Sequence, residues 1–357
     1  MAGVTYKCPS CGASLEFNPA TQKWKCGFCN AEFTEEDLLP KAKEFAEKEG
    51  KEAQPSDSSG DDSGTKNDVI YNCPNCGSQI MTDETTVATH CYYCDSPVVL
   101  QGKLTAAMTP DQVLPFLVDK KTAVDTFMNW VKKKRFVPKD FFSREGMEGL
   151  NGVYYPHFVT QCEIDGSFNG EGQNISRMET PREVVTKTDF YSFTRQADIL
   201  FRNVMRPALK STNRKLSDGI HPFPLENAKP FSSAYLSGFL AERRDIDASE
   251  ITEDVRTELT GYVKPILSET LNYNAYSGQT SAKLVSQKAD YVLLPTWVLT
   301  YKGKKAPDGT PYYYIMNGCT GTICGKLPID KGRLLRFGLI VGGLVFAAAC
   351  VASYLFW

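Results

Sequence analysis

Histidine is scarce in this chain. There are three in 357 residues, His90, His157 and His221, and none sits in a recognisable acid–base motif. A phosphate-binding loop of the G-x-x-x-x-G-K-[ST] type is missing, and so is the G-x-S-x-G elbow of serine hydrolases. The best-marked nucleotide and acyl-transfer chemistries therefore have no foothold. An excess of either charge is also lacking: 40 Lys and Arg face 42 Asp and Glu, for a net charge of −2. That is not the global footprint of a nucleic-acid binder, although it permits a local basic patch. No lysine or arginine occurs between residues 67 and 102. Met1 to Cys8 contains no apolar run, so no secretory signal is expected. In the cytosolic reading that follows, the Asn174-Ile175-Ser176 sequon is accidental.

What is present is cysteine. Of 12 cysteines, eight form four C-x2-C pairs, all before residue 95. Disulfide scaffolds spread their cysteines along the chain, so this clustering points to metal thiolates in a reducing compartment. Cys162, Cys319, Cys324 and Cys350 show no evident pairing. The two sets, Cys8, Cys11, Cys26, Cys29 and Cys73, Cys76, Cys91, Cys94, share the spacing C-x2-C-x14-C-x2-C at an offset of 65 residues. The same offset lays Tyr6 on Tyr71, Pro9 on Pro74 and Gly12 on Gly77, as in a duplicated module.

Four thiolates make a closed tetrahedral shell for a structural zinc ion, whereas a catalytic zinc keeps a position open for water. Pro9, Gly12, Pro74 and Gly77 supply the tight turns that put two sulfurs on one ion. A unit of about 33 residues cannot bury enough apolar surface to fold unaided, so each ribbon is expected to need its metal. Dithiol redox chemistry is the rival, but no βαβ pattern surrounds these pairs. His90, next to Cys91, reads as a surface residue. The sparse Lys7, Lys23 and Lys25 are balanced by Glu16 and Glu32. The second ribbon carries Asp68, Asp83, Glu84 and Asp95. Such faces favour protein over phosphate.

The rest divides by composition. Residues 1–34 form ribbon one. Residues 35–67 form a charged, then Ser/Asp/Gly-rich, flexible linker, whose start reads as a short helix capped by Thr34. Residues 68–100 form ribbon two, 101–330 an α+β domain, and 331–357 a basic flank and apolar tail. The periodicity predicts helices over 120–134 and 248–271, the second with Asp247 and Glu250 capping reciprocally. Strands are expected at 153–164, 183–188, 193–200, 291–301, 311–317 and 321–326. The last three read as an antiparallel meander with turns at Pro307-Asp308-Gly309 and Asn317-Gly318. Tyr154–Val159 resembles Leu293–Val298 at an offset of 139 residues, which raises the prospect of two duplicated helix–strand halves.

Phe337 to Trp357 is 21 residues without a charge. As a helix it would span about 31 Å, the thickness of a hydrocarbon core. Lys326, Lys331, Arg333 and Arg336 precede it, so the positive-inside rule puts the N-terminal bulk in the cytoplasm, and these charges suit anionic headgroups. Gly338 and Gly342 form a G-x-x-x-G that offers a weak helix-pairing face. Lys132-Lys133-Lys134-Arg135 ends a predicted helix, where cations suit the dipole. It reads first as a solvated helix end and second as a contact for acidic lipid or nucleic acid. Arg195, Arg202 and Arg206 are similarly open. Cys319 and Cys324 read as small hydrophobes rather than a thiol pair.

The run from Tyr71-Asn72-Cys73-Pro74-Asn75-Cys76-Gly77-Ser78 to Cys91-Tyr92-Tyr93-Cys94-Asp95-Ser96-Pro97-Val98-Val99 resembles bacterial membrane-anchored zinc-ribbon proteins labelled as the general transcription factor B type. Some of these carry a primosomal helicase label. Phe231–Glu242 and Tyr313–Gly321 share the resemblance. It implies zinc at the eight cysteines and nothing catalytic. It also implies an adaptor working beside flotillin-like or membrane-stress proteins. The helicase label finds no nucleotide-binding motif here.

The sequence thus predicts an α+β protein: two zinc ribbons with two structural Zn2+ ions, a mixed antiparallel-sheet-plus-helix domain and one C-terminal transmembrane helix. The expected function is a non-enzymatic, single-pass membrane adaptor holding a protein partner. Alternatives are a membrane-tethered nucleic-acid-binding regulator and an enzyme in the 101–330 domain.

Overall fold

The computed structural model describes residues 6–38, 69–73, 79–82, 85–91, 96–100, 108–138, 149–179, 181, 183–301, 312–325, 327 and 329–355. The fold is mixed α+β and is dominated by one large sheet.

At the N-terminus, β1 (Leu15–Asn18), β2 (Lys23–Cys26) and β3 (Glu32–Phe33) form a three-stranded antiparallel sheet. Period-two alternation sets its faces. Leu15, Phe17, Trp24 and Cys26 are buried, while Glu16, Lys23 and Lys25 are exposed. Residues 35–38 are helical. The Thr34 amide and hydroxyl both donate to Asp37 Oδ2, at 2.9 and 2.7 Å, which is the acidic half of a capping box.

A hairpin of β4 (Val69–Asn72) and β5 (Gln79–Thr82) stands apart as a two-stranded sheet. The next pair, β6 (Thr86–His90) and β7 (Pro97–Val99), joins the main sheet instead. The expected boundary at residue 100 is crossed by hydrogen bonding, because Ala241 and Glu242 of β12 (Leu240–Glu242) pair with Ala88 and Thr86. Val98, Val99 and Leu100 are fully buried, so this apolar run completes a sheet rather than closing a free-standing module.

The other strands of the ten-stranded sheet are β8 (Gln112–Val113), β9 (Leu150–Glu179), β10 (Val184–Pro207), β11 (Lys229–Pro230), β13 (Ala275–Tyr301), β14 (Tyr312–Asn317) and β15 (Ile323–Gly325). The order is β11-β8-β13-β9-β12-β6-β7, with β10 on β9 and β14 and β15 beyond β13. The antiparallel meander β13-β14-β15 agrees with the expectation. The Pro307-Asp308-Gly309 turn lies outside the described residues. The two strands expected at 183–188 and 193–200 are one continuous strand, and β9 and β13 run far past their expected ends. In β9 burial still alternates as far as Gly172, with Gly166 and Phe168 buried, but the glycines at 166, 170 and 172 hide that alternation from a hydrophobic pattern.

Helix α1 (Lys120–Lys132) buries Ala123, Phe127 and Val131. A short α2 (Arg214–Asp218) follows β10. Helix α3 (Ala248–Ser268) buries Ile251, Val255, Leu259, Val263 and Leu267, every fourth residue, as an amphipathic helix on a sheet requires. Both predicted helices end a few residues early. The reciprocal cap at Asp247 and Glu250 does not form. The Asp247 carboxylate instead pairs with Arg244 Nη1 at 3.0 Å, and a full charge outcompetes backbone amides for it.

The sheet has an approximate two-fold axis. Tyr155 pairs with Leu294 between β9 and β13, and these residues are the centre of the two similar segments. On one side β12 runs parallel to β9 (Ala241 on Tyr154). On the other β8 runs parallel to β13 (Val113 on Leu293). The Ala208 amide donates to the Pro156 carbonyl and the Gly318 amide to the Pro295 carbonyl, both at 2.9 Å. The amides of Asp245 and Ile246 then reach Ala208, as those of Leu117 and Val118 reach Gly318. Helices α1 and α3 follow at matching positions, each begun by an aspartate, Asp119 and Asp247.

Helix α4 (Lys331–Leu355) closes the chain. Its stretch Lys331–Tyr354 is long and apolar enough to cross a membrane, and none of it is buried in the folded body. A soluble core helix would be covered.

Candidate metal centre and the surfaces around it

The first four cysteines converge. The Sγ atoms of Cys8, Cys11, Cys26 and Cys29 lie within 4.8 Å of one another. Cys8 and Cys29 sulfurs are 3.6 Å apart, and Cys11 and Cys26 are 3.5 Å apart. Tetrahedral metal–thiolate bonds of about 2.3 Å place sulfurs about 3.8 Å apart, so the group can hold a metal ion.

Two matched turns build it. The Cys8 amide donates to the Ala13 carbonyl and the Gly12 amide to Cys8; likewise Cys26 donates to Ala31 and Asn30 to Cys26. Each turn passes through the left-handed region four residues after its first cysteine, at Gly12 (φ 76°) and Asn30 (φ 57°). Glycine has no Cβ penalty there, and asparagine is the side chain that tolerates it best. Gly12 was legible in the sequence; Asn30 is the signal that sequence reasoning missed.

The sulfurs sit among amides that favour thiolate. The Cys29 amide donates to Cys26 Sγ at 3.5 Å and lowers that thiol. Burial acts to raise Cys8, but hydrogen bonds from the backbone at Ser10 and Cys11 and from Cys29 outweigh it and bring the thiol down to about 6. The Ala13 amide favours the Cys11 thiolate, yet burial and the adjacent sulfurs push that thiol up to about 12. Four thiolates without a cation repel one another, and a divalent ion removes the conflict.

The ribbon's apolar face is docked on the main domain. Trp24 Nε1 donates to the Ala234 carbonyl at 2.8 Å, Gln22 Nε2 to the Phe116 carbonyl at 2.7 Å, and the Phe17 amide to the Ser237 carbonyl at 3.0 Å. Ser237 Oγ donates to the Leu15 carbonyl, and the hydroxyls of Tyr6 and Ser233 bond. The Tyr235 hydroxyl donates to Glu35 Oε2 at 2.7 Å. The rings of Phe17, Trp24 and Tyr235 form a triangle with centroids 5.1–5.2 Å apart. All of these domain residues but Phe116 belong to the 231–242 segment singled out in the sequence. The opposite end of the ribbon is open: Cys11 and Cys29 are exposed, and Phe28 between the second pair is 82% exposed.

In the second module, Cys73 and Cys91 are buried in one small cluster with Tyr71, Val98 and Leu100. The Cys91 amide donates to the Ser96 carbonyl at 3.0 Å, the counterpart of the Cys26 bond to Ala31. Cys76 and Cys94 lie outside the described residues.

One polar pair escaped the sequence reading. His157 Nε2 lies 2.9 Å from Ser217 Oγ, and its Nδ1 lies 3.2 Å from the Tyr155 carbonyl. A carbonyl only accepts, so Nδ1 carries the proton and the serine hydroxyl donates to Nε2. Burial holds His157 neutral, lowering it to about 4. The hydroxyl–imidazole geometry is that of a nucleophile and its base, but both residues are 3% exposed, which seals them from a substrate. Among the arginines, Arg195 Nε donates to Thr270, and Arg206 pairs with Glu258 at 2.6 Å, which Arg214 shares at 2.9 Å. Cys162 is buried, while Cys319 and Cys324 are half-buried against the cluster of Leu114, Ile220, Phe223 and Ile315. Cys350 is exposed on α4.

No family model matches the chain, and no solved structure matches it. It is similar to the uncharacterized protein YdjG of Bacillus subtilis (strain 168), at 27% identity over 360 residues, covering 98% of this chain and 97% of the other. The likeness therefore runs over nearly the full length of both chains.

Proposed function

We propose that the chain is a membrane-anchored adaptor without a reaction of its own. Its N-terminal bulk lies on the cytoplasmic side and presents zinc-braced surfaces to a protein partner. The observation that carries this is α4, an apolar helix whose membrane-length stretch is not buried in the folded body. A fold fastened to a bilayer at one end and carrying a closed metal shell at the other is suited to holding something near the membrane. The cations Lys331, Arg333 and Arg336 before the apolar run support the cytoplasmic orientation.

Zinc is the ion this reading assigns to Cys8, Cys11, Cys26 and Cys29, since four soft thiolates at tetrahedral spacing suit it. A second zinc is assigned to Cys73, Cys76, Cys91 and Cys94, supported by the repeated spacing and the repeated Cys91-to-Ser96 bond. The two-fold sheet supports an internal duplication of a strand–helix–strand–strand unit. The exposed Phe28 knuckle is the surface offered to the partner, and the flotillin-like or membrane-stress class follows from the resemblance above. Co-purification from membranes should compare the full chain with its Phe28→Ser variant. Loss of specific partners supports the reading; an unchanged partner set, with metal content intact, sinks it.

A further inference from the structure

The C-terminal end of α1 and the start of α4 form one surface. The Asp330 amide donates to the Phe136 carbonyl at 2.7 Å, and Arg333 Nη1 donates to the Val137 carbonyl at 3.0 Å. The rings of Phe136 and Phe337 meet edge to face at 5.4 Å. Phe337 is the first residue of the charge-free run. Residues 132–135 immediately precede Phe136, so Lys132, Lys133, Lys134 and Arg135 are pinned at the level where α4 would enter a bilayer.

All four are exposed, as are Lys331 and Arg336. Among the described residues, none of these six has an ion-pair partner. The acidic group at hand, Asp330, is already engaged. Its Oδ1 accepts from the amides of Gly332 and Arg333 at 3.0 and 3.1 Å, and its Oδ2 faces Arg333 Nε at 3.5 Å. Six like charges without an ion-pair partner among the described residues make a field that an anion would relieve. Lys133 also lines a groove of about 460 Å³ between α1 and residues 321–323, where Thr126, Asn129 and Trp130 add hydroxyl, amide and ring faces. Lys134 Nζ lies over the Trp130 ring at 5.3 Å. Exposed Leu334, Leu335 and Phe337 follow directly.

We propose that this surface holds the phosphate headgroups of anionic phospholipids in the leaflet that α4 enters. The inference rests on reading α4 as a span, not on the adaptor's partner. Interleaved cations and apolar side chains fit a headgroup above an acyl layer, whereas nucleic acid offers no apolar layer beside its phosphates. Juxtamembrane lysines and arginines each add attraction to such a surface. Fixing the α1 run beside α4 adds four exposed cations to Lys331 and Arg336 of α4's own flank.

The test uses the full chain in neutral detergent micelles, with calorimetric titration of dioctanoyl phosphatidylglycerol, dioctanoyl phosphatidylcholine, inorganic phosphate or a 20-nucleotide single strand. Phosphatidylglycerol should bind about tenfold or more tightly than phosphatidylcholine and weaken with salt. The K132Q/K133Q/K134Q/R135Q variant should lose about tenfold of that affinity and most of its salt dependence. The control K120Q/K121Q, on the same helix but at its other end, should bind as the unaltered chain does. A thermal melt equal to that of the unaltered chain confirms that the quadruple variant folds. Equal binding of the two lipids, unchanged affinity in the folded quadruple variant, competition by inorganic phosphate as effective as by lipid, or tighter binding of the oligonucleotide would each overturn the proposal. Alkaline carbonate extraction of membranes separates the premise: release of the chain overturns the span and the proposal together, while retention with lipid-indifferent binding overturns the proposal alone.

Discussion

Stripping the metal from the first ribbon should release the ribbon from the domain, and Trp24 should report it. In the proposed reading the ribbon is held by a zinc ion at Cys8, Cys11, Cys26 and Cys29 and by its docking contacts. Six hydrogen bonds cross that contact, each contributing about 1 kcal/mol net. Burying the Trp24 ring, now 1% exposed, adds about 3 kcal/mol, for about 9 kcal/mol together. A structural zinc contributes about 10–16 kcal/mol. The two contributions are of the same order, so losing the ion should leave β1–β3 much less firmly ordered. A high-affinity chelator, or Cys26→Ser, should shift the Trp24 emission to the red and open it to acrylamide quenching. The comparison with a Trp24→Phe chain isolates its signal from those of Trp130, Trp297 and Trp357. If metal analysis shows the ion gone and Trp24 stays shielded, the domain rather than the metal orders the ribbon, and the reasoning fails.

Two further outcomes follow from the interior. His157 is held neutral down to about 4, while an unfolded histidine protonates near 6.5. Between these values the unfolded chain takes up a proton that the fold refuses. The contribution is therefore complete above about pH 6.5 and is lost as pH falls to about 4, by about 3 kcal/mol. Urea midpoints against pH should show a shallower acid limb in His157→Gln; parallel curves would refute the assignment. Gly170 faces Gly278 across β9 and β13, where an added methyl would collide with the Ser277 carbonyl. Gly170→Ala should destabilise by about 1–3 kcal/mol, read as a lower melting temperature; an unchanged melt would show that the strands can part there.

Much of this was legible because it was local. Cysteine spacing located the converging set at Cys8, Cys11, Cys26 and Cys29, and fourfold spacing of Ile251, Val255, Leu259 and Val263 located α3. The apolar tail read directly as α4. What the sequence hid was long-range. Nothing in Val98, Val99 and Leu100 says that their hairpin pairs with a strand some 140 residues later. Nothing in Trp24 says that its indole bonds to Ala234. The Ser217–His157 pair joins residues 60 apart through the fold alone. The similar segments around Tyr155 and Leu294 did hint at repetition, but the axis relating them emerges from their pairing with each other.

The long strands have a mechanical consequence. As far as Gln173, β9 is flanked by both β13 and β10; from there to Glu179 only β10 accompanies it. Helix α3 braces the base, with Val263 against Gly166 and Lys264 over the Phe168 ring. The last six residues of β9, about 20 Å, form a two-stranded ribbon without such support, and Ile175, Met178 and Val184 are exposed there. An unsupported pair of strands is marginal in water. The blade therefore carries a gradient of local stability. Amide protons near the tip should exchange through small, frequent openings, while those near Tyr155 should exchange only when the whole sheet opens.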